Sequence, residues 1–159
     1  MTGVRIRPAE ASDVPVLLGL VRALAAHEGS GSQLLTDAEV LLRDGFGGAA
    51  QFGALLAEID GIAVGFVSYT VNYSIWAGGQ FLQVDDLYVD GARRGAGIGH
   101  RLMEAVGKVC LRRGCGFVRW TVELRNTGAI AFYERLGASL RAKGVCTWRP
   151  DAAGAIGGD

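Results

Sequence analysis

Neither charge sign is in surplus in this chain: 16 Lys and Arg offset 16 Asp and Glu over 159 residues. The basic excess that marks most nucleic-acid binders is therefore missing, and no nucleic-acid partner is expected. No run of about 18 apolar residues is present to cross a membrane as a helix, so no membrane partner is expected. The opening residues, M-T-G-V-R-I-R-P, lack the apolar core and cleavage site of a secretory signal. Cysteine is scarce. Cys110, Cys115 and Cys146 are odd in number and form no C-x-x-C pair, which leaves neither a disulfide framework nor a zinc set. Reduced thiols in a cytoplasmic protein are the simplest reading, with Cys110 and Cys115 as packing residues and no metal. There is no internal repeat.

What is present is a core. Half of the residues are apolar, and a chain of this length buries roughly 70% of its extended surface. One domain over residues 1–150 is expected, followed by a flexible Ala/Gly-rich tail over 151–159. The organising stretch is V-D-D-L-Y-V-D-G-A-R-R-G-A-G-I-G-H-R, from Val84 to Arg101. An apolar strand ends at Asp90-Gly91, two arginines and three spaced glycines follow, and an amphipathic run begins. Strand, glycine-rich turn and helix together suit a phosphate: glycines allow close backbone approach, and the first helical turn offers unpaired amides and a favourable dipole. Arg93 and Arg94 add forked cationic donors. The dinucleotide fingerprint fails because the sixth place from Gly95 is His100, and a Walker loop fails because the turn ends Gly-His-Arg.

The remaining pattern gives the architecture. A strand is expected over Val4–Arg7. Ser12 and Asp13 then cap a helix that carries Leu17, Leu20, Val21 and Leu24 to about His27–Glu28. Gly29–Ser32 is a loop. Thr36-Asp37-Ala38-Glu39 is a capping box opening a short helix that Asp44–Gly48 ends. Phe52–Ile59, an Asp60-Gly61 hairpin turn and Ile62–Tyr73 are strands, as is Phe81–Val89 after Gly78-Gly79. A helix follows over Gly99–Arg113, with Gly114 as its cap, then a strand over Gly116–Glu123. Asn126-Thr127 cap a last helix with Ile130, Phe132, Tyr133 and Leu136, ended by Gly137. Two final strands are expected at Ser139–Lys143 and Val145–Arg149. The order β-α-α-β-β-β-α-β-α-β-β gives an α/β class with a mixed, mostly antiparallel sheet and helices on both faces. The strands on either side of the Gly99–Arg113 helix should run parallel by a right-handed crossover.

Two motifs then carry a resemblance. Arg94-x-x-Gly97-x-Gly99 resembles the acetyl-coenzyme A loop of the GNAT superfamily of N-acetyltransferases. About 30 residues on, Asn126-Thr127-Gly128-Ala129-Ile130-Ala131-Phe132-Tyr133 through Gly137-Ala138 resembles that family's N-x-x-A-x-x-F-Y-x-x-x-G-A helix. From about Ile6 to Trp148 the chain is similar to the diamine (spermidine/spermine) and thialysine N-acetyltransferases, including Leu41–Gly47, Tyr73-Ser74-Ile75-Trp76 and the pair Asp85-Asp86. The resemblance implies the GNAT fold, acetyl-CoA as co-substrate, direct attack by a neutral amine on the thioester, and a homodimer.

It also implies roles. Coenzyme contacts fall on Leu87, Tyr88, Val89, Arg93, Arg94, Gly95, Ala96, Gly97, Ile98, Gly99, His100, Asn126 and Tyr133, with a backbone amide of the Leu87–Val89 segment as oxyanion donor. An alkyl ammonium with a pKa near 10.4 is neutral about once in 2,500 at pH 7, a cost of roughly 4.6 kcal/mol, so a base is useful. Asp85, one methylene shorter than the glutamate of the diamine enzymes, is the candidate, acting directly or, given its shorter reach, through a water. Asp86 would face away from it on a regular strand; the bulge that the resemblance implies alters this, and Asp86 is assigned to amine binding. Tyr133 matches the general acid. Acidic and aromatic groups suit a cation, and Glu28 and Trp76 join Asp85 and Asp86 as substrate residues, with Tyr73 nearby in sequence. His27 reads as a surface residue. The Gly29–Ser32 loop and Ser74 are less acidic than their counterparts in the diamine enzymes, which favours a smaller amine over a long polycation. Polyamine or lysine-like amino acid is the first substrate reading. A protein N-terminus or lysine, an antibiotic amine, or a non-catalytic acetyl-CoA-binding module are the alternatives. A toxin acting on aminoacyl-tRNA would want a basic face, which zero net charge disfavours.

Overall fold

A computed structural model describes residues 3–152. The chain divides into two compact units, Met1–Thr121 and Val122–Asp159. The expected tail over 151–159 falls almost wholly outside the described residues.

The first unit is a five-stranded sheet in the order β1-β2-β3-β4-β5. β1 (Arg5–Pro8), β2 (Gly53–Ile59), β3 (Ile62–Ser74) and β4 (Gly79–Val89) pair antiparallel in sequence. β5 (Val118–Arg119) pairs parallel to β4 through Leu82 and Gln83, as the crossover predicts. Asp60 and Gly61 both adopt positive φ in the β2–β3 turn, the backbone that a two-residue hairpin with right-handed twist requires. α1 (Val14–His27) and α2 (Ala38–Phe46) cover one face. Leu17 of α1 packs there with Ala54, Leu56 and Phe66, and Tyr88 joins the same cluster. α3 (Ile98–Arg112) covers the other face, where Val109 shares a cleft with Leu55 and Ile6. Buried Ile98, Leu102, Met103, Val106, Val109 and Cys110 recur at helical spacing along α3.

One charged group anchors the start of the chain to this core. Glu58 is a buried carboxylate. Arg7 donates to it from Nε and Nη2, at 2.9 and 2.6 Å, and to both oxygens of Asp13, at 2.7 and 2.9 Å. One guanidinium thus ties β1 to β2 and to the entrance of α1. The Arg7 hydrogen bond is the main reason that Asp13 titrates low, at about 2 against an ordinary 3.8. A depressed carboxylate stabilises the fold above its unfolded pKa, and that contribution disappears as pH falls from about 4 through about 2. Solvent screening keeps it below about 2 kcal/mol. Arg7→Ala is expected to cost roughly 3 kcal/mol in urea unfolding at pH 7, because it leaves Glu58 buried and unpaired. It should also flatten the acid limb of stability between pH 4 and 2.

The second unit contains α4 (Thr127–Leu136). Asn126 caps it, with Oδ1 accepting from the Ala129 amide at 3.1 Å, and Gly137 ends it in the left-handed region. Two expectations are corrected. The strand expected over Gly116–Glu123 shortens to Val118–Arg119, and the strands expected at Ser139–Lys143 and Val145–Arg149 do not form. Strands persist where a ladder and a buried face support them. Leu140, Val145 and Trp148, the large apolar residues of that stretch, are all exposed, so alternation alone has no burial to drive pairing.

Candidate active site

β4 positions the acidic pair. Its ladder with β3 is regular except at one point: Val84 pairs with Tyr69 and Asp86 with Ser68, so Asp85 is an extra residue with no partner. Two residues of β4 there oppose one of β3, which is a β-bulge. On a regular strand Asp85 and Asp86 would point to opposite faces; the bulge cancels that alternation. The Ser68 hydroxyl donates to Asp86 Oδ2 at 2.8 Å, and the Thr70 hydroxyl draws the Asp85 carboxyl downward. Ser68 and Thr70 lie two apart on β3 and hence on one face. Both carboxylates therefore share the face that α1 and α2 cover.

Asp85 remains exposed, yet the protein around the bulge strips enough water to push its carboxyl above the ordinary range. The charge of Asp86 pushes the same way, and the Thr70 hydroxyl pulls back. A carboxyl raised in this manner is a better proton acceptor than a free aspartate.

The same strand delivers the glycine-rich turn. Leu87, Tyr88 and Val89 close β4, and Arg94 folds back so that its Nε donates to the Val89 carbonyl at 3.0 Å, its guanidinium standing 5.6 Å from the Tyr88 ring centroid. Gly95 and Gly97 have φ of +85° and +76°. Gly97 is the N-cap of α3 and supplies no side-chain cap, so the amides of Ile98, Gly99 and His100 keep their position as the unpaired donors of a helix start. A Cβ on Gly97 would meet nothing within 4 Å, so the space beside it is open. His100 turns its side chain to Glu104 at 3.2 Å. Past Gln83, the edge of β4 away from β3 has no ladder partner among the described residues. Exposed amides, left-handed glycines and the Arg93–Arg94 pair fit a diphosphate-bearing coenzyme. Gly97→Val should raise the KM for acetyl-CoA at least tenfold. It also places a β-branched residue in the left-handed region, at a stability cost of about 1–3 kcal/mol. Titration of the acetyl donor against initial rate checks it.

The model of the acetyltransferase (GNAT) family matches residues 26–138, more than two thirds of the chain. The chain belongs to the GNAT acetyltransferase family. It is 34% identical to spermidine/spermine N(1)-acetyltransferase-like protein 1 of Homo sapiens over 84% of its own length, although it spans only 20% of that protein. It is 35% identical to the thialysine N-epsilon-acetyltransferase of Bos taurus over 87% of its length and 85% of that enzyme. The structure of an aminoglycoside acetyltransferase from an uncultured soil metagenomic sample, in complex with trehalose, has the same fold: TM-score 0.79, 20% identity, covering 92% of this chain and 95% of that one. As a GNAT acetyltransferase the chain is an acetyl-CoA-dependent N-acetyltransferase.

In this acetyltransferase the other sequence candidates sit as follows. Asn126, at the N-cap of α4, spends its Oδ1 on capping. Tyr133, on α4, has its ring 5.2 Å from that of Phe132, and burial pushes its phenol above the ordinary range. Glu28 is the exposed C-cap of α1. Trp76 is fully exposed beyond the last β3–β4 pair, Ser74 with Gly79. Six residues of strand separate Gly79 from Asp85, about 20 Å, so the single chain does not bring Trp76 to the carboxylates. Sequence reading missed Ser68 and Thr70. Their signal was the run Ser68, Thr70, Asn72, Ser74, which alternates small polar residues through an otherwise apolar strand.

Proposed function

We propose that this acetyltransferase, working as one domain over residues 1–150, moves the acetyl group of acetyl-CoA onto the primary amine of a small molecule, a polyamine or a lysine-like amino acid such as thialysine. The observation that carries the reading is the β4 bulge, which presents two carboxylates on one face a few residues before the glycine turn of α3. The similarity to thialysine N-epsilon-acetyltransferase over most of both chains supports the same substrate class.

Asp86 and Glu28 attract the ammonium of the substrate, and Asp85 accepts its proton directly or through one water. The freed nitrogen lone pair forms the C–N bond at the acetyl carbon as the C–S bond breaks. A backbone amide near Leu87–Val89 stabilises the developing oxyanion. Tyr133, kept protonated by burial, gives its proton to the departing sulfur. Leu87, Tyr88, Val89, Arg93, Arg94, the 95–100 turn and Asn126 hold the coenzyme. A homodimer would cover the exposed Tyr73, Ile75 and Trp76 of the β3–β4 tip and carry Trp76 to a neighbouring site.

Thiol release from acetyl-CoA across putrescine, spermidine, spermine, thialysine, lysine and an N-terminal peptide tests the reading. Turnover with one of the five small amines is the expected result. Turnover with the peptide alone would replace the small-amine substrate by a protein one.

A further inference from the structure

We infer that Ser68 and Thr70 of β3 are positioning residues that divide the two carboxylates between separate tasks, Thr70 holding Asp85 for proton transfer and Ser68 holding Asp86 for amine binding. The inference rests on the function proposed above and adds residues that the motifs did not indicate.

The argument begins with the bulge. A residue that the ladder skips has no cross-strand partner to fix it, and Asp85 is exposed. Its orientation must come from a side chain. Thr70 is placed for this. Its Oγ1 accepts a hydrogen bond from Asn72 Nδ2 at 3.0 Å, which leaves the hydroxyl proton to be donated onward. Thr70 sits opposite Gln83, diagonal to the skipped Asp85 and on the face of Ser68, and its hydroxyl draws the Asp85 carboxyl downward. A proton donated onward by Thr70 would complete a chain from Asn72 through Thr70 to Asp85 in which every donor gives toward the carboxylate. The second carboxylate is held separately, by the 2.8 Å bond from Ser68 Oγ to Asp86 Oδ2. No residue serves both, so the two acids are oriented independently although adjacent in sequence.

The surrounding charges do not blur this division. Asp86 is the charged neighbour that acts on Asp85. On the same face, α1 carries Arg22 and His27 with Glu28 at its end, and α2 carries Glu39, Arg43 and Asp44; Arg43 and Asp44 engage each other at 2.8 Å. On the strands themselves, Glu58 is taken by Arg7, and Arg94 lies on Tyr88. None of these moves the Asp85 carboxyl.

Four variants decide the matter: Thr70→Val, Thr70→Ser, Ser68→Ala and Ser68→Thr. With the preferred amine, Thr70→Val should lower kcat about tenfold at unchanged amine KM, and Thr70→Ser should restore it. Ser68→Ala should raise the amine KM about tenfold at unchanged kcat, and Ser68→Thr should restore it. Carboxyl NMR titration supplies a readout that needs no turnover: Asp85 should titrate at higher pH in Thr70→Val and stay put in Ser68→Ala. Equal effects of both variants on one kinetic parameter, or an Asp85 titration indifferent to Thr70→Val, would overturn the inference. If the wild type acetylates no small amine, the proposed function fails, while the Asp85 titration still decides whether Thr70 positions that carboxylate.

Discussion

Asp85→Asn should lower kcat/KM by about 10²–10⁴-fold at pH 7, the range for removing a general base, while acetyl-CoA still binds. The isosteric amide keeps the shape of the bulge and loses only the proton acceptor. The pH dependence separates this from a structural lesion. In the wild type the acid limb of activity should lie above the ordinary aspartate range, because desolvation and Asp86 raise the Asp85 carboxyl. Below that value the carboxyl is protonated and cannot accept. In the variant, the enzyme must wait for amine that is already neutral. That fraction rises from about one in 2,500 at pH 7 to about one in 25 at pH 9 for a pKa near 10.4, so the variant should regain roughly 100-fold of its rate over that interval. Initial rates of thiol release between pH 5 and 9.5 measure both limbs. A variant whose deficit is the same at pH 7 and pH 9 would remove Asp85 from the proton-transfer step.

Tyr133→Phe is expected to have the second largest effect, about a 100-fold loss in kcat with little change in either KM. A thiolate is a charged leaving group, and protonation at sulfur as the C–S bond breaks avoids carrying that charge. Burial raises the Tyr133 phenol above the ordinary 10, so it stays protonated across the working range. The wild type should therefore show no alkaline loss from this group below pH 10. Phenylalanine keeps the ring that packs with Phe132 and removes the hydroxyl, so a folded protein with a cooperative thermal melt beside a low kcat is the expected pair of results. A lowered melting temperature with an unaltered kcat would give Tyr133 a packing role.

The sequence was most legible where local chemistry dictates backbone. Asp60-Gly61, the glycine turn into α3 and the Asn126 cap all stand as their residues require, because each is decided by φ preference or by a side-chain oxygen one turn away. The parallel β4–β5 pairing followed from handedness alone. What could not be read depends on partners. Ser139–Lys143 and Val145–Arg149 alternate acceptably, yet a strand needs a neighbour and a buried face, and neither is encoded in its own residues. The acidic pair sits between the two cases. Two adjacent aspartates in an apolar strand mark a candidate site; that they share a face depends on a ladder shift between β3 and β4, visible only once Ser68 and Tyr69 are seen to pair with Asp86 and Val84.

The skipped residue has a consequence for how such a site could arise and be lost. Without Asp85, Val84 and Asp86 would be consecutive opposite Tyr69 and Ser68, and the ladder would run unbroken. The apolar contacts of Val84 and the hydroxyl bond of Asp86 would survive. Folding and the proposed proton transfer are thus written on different letters of the same strand. With Asp85 as the proposed base, a single-codon deletion would remove proton transfer and leave a sheet with fewer irregularities than before. The reverse insertion would add the proposed base to a regular sheet without altering any buried residue.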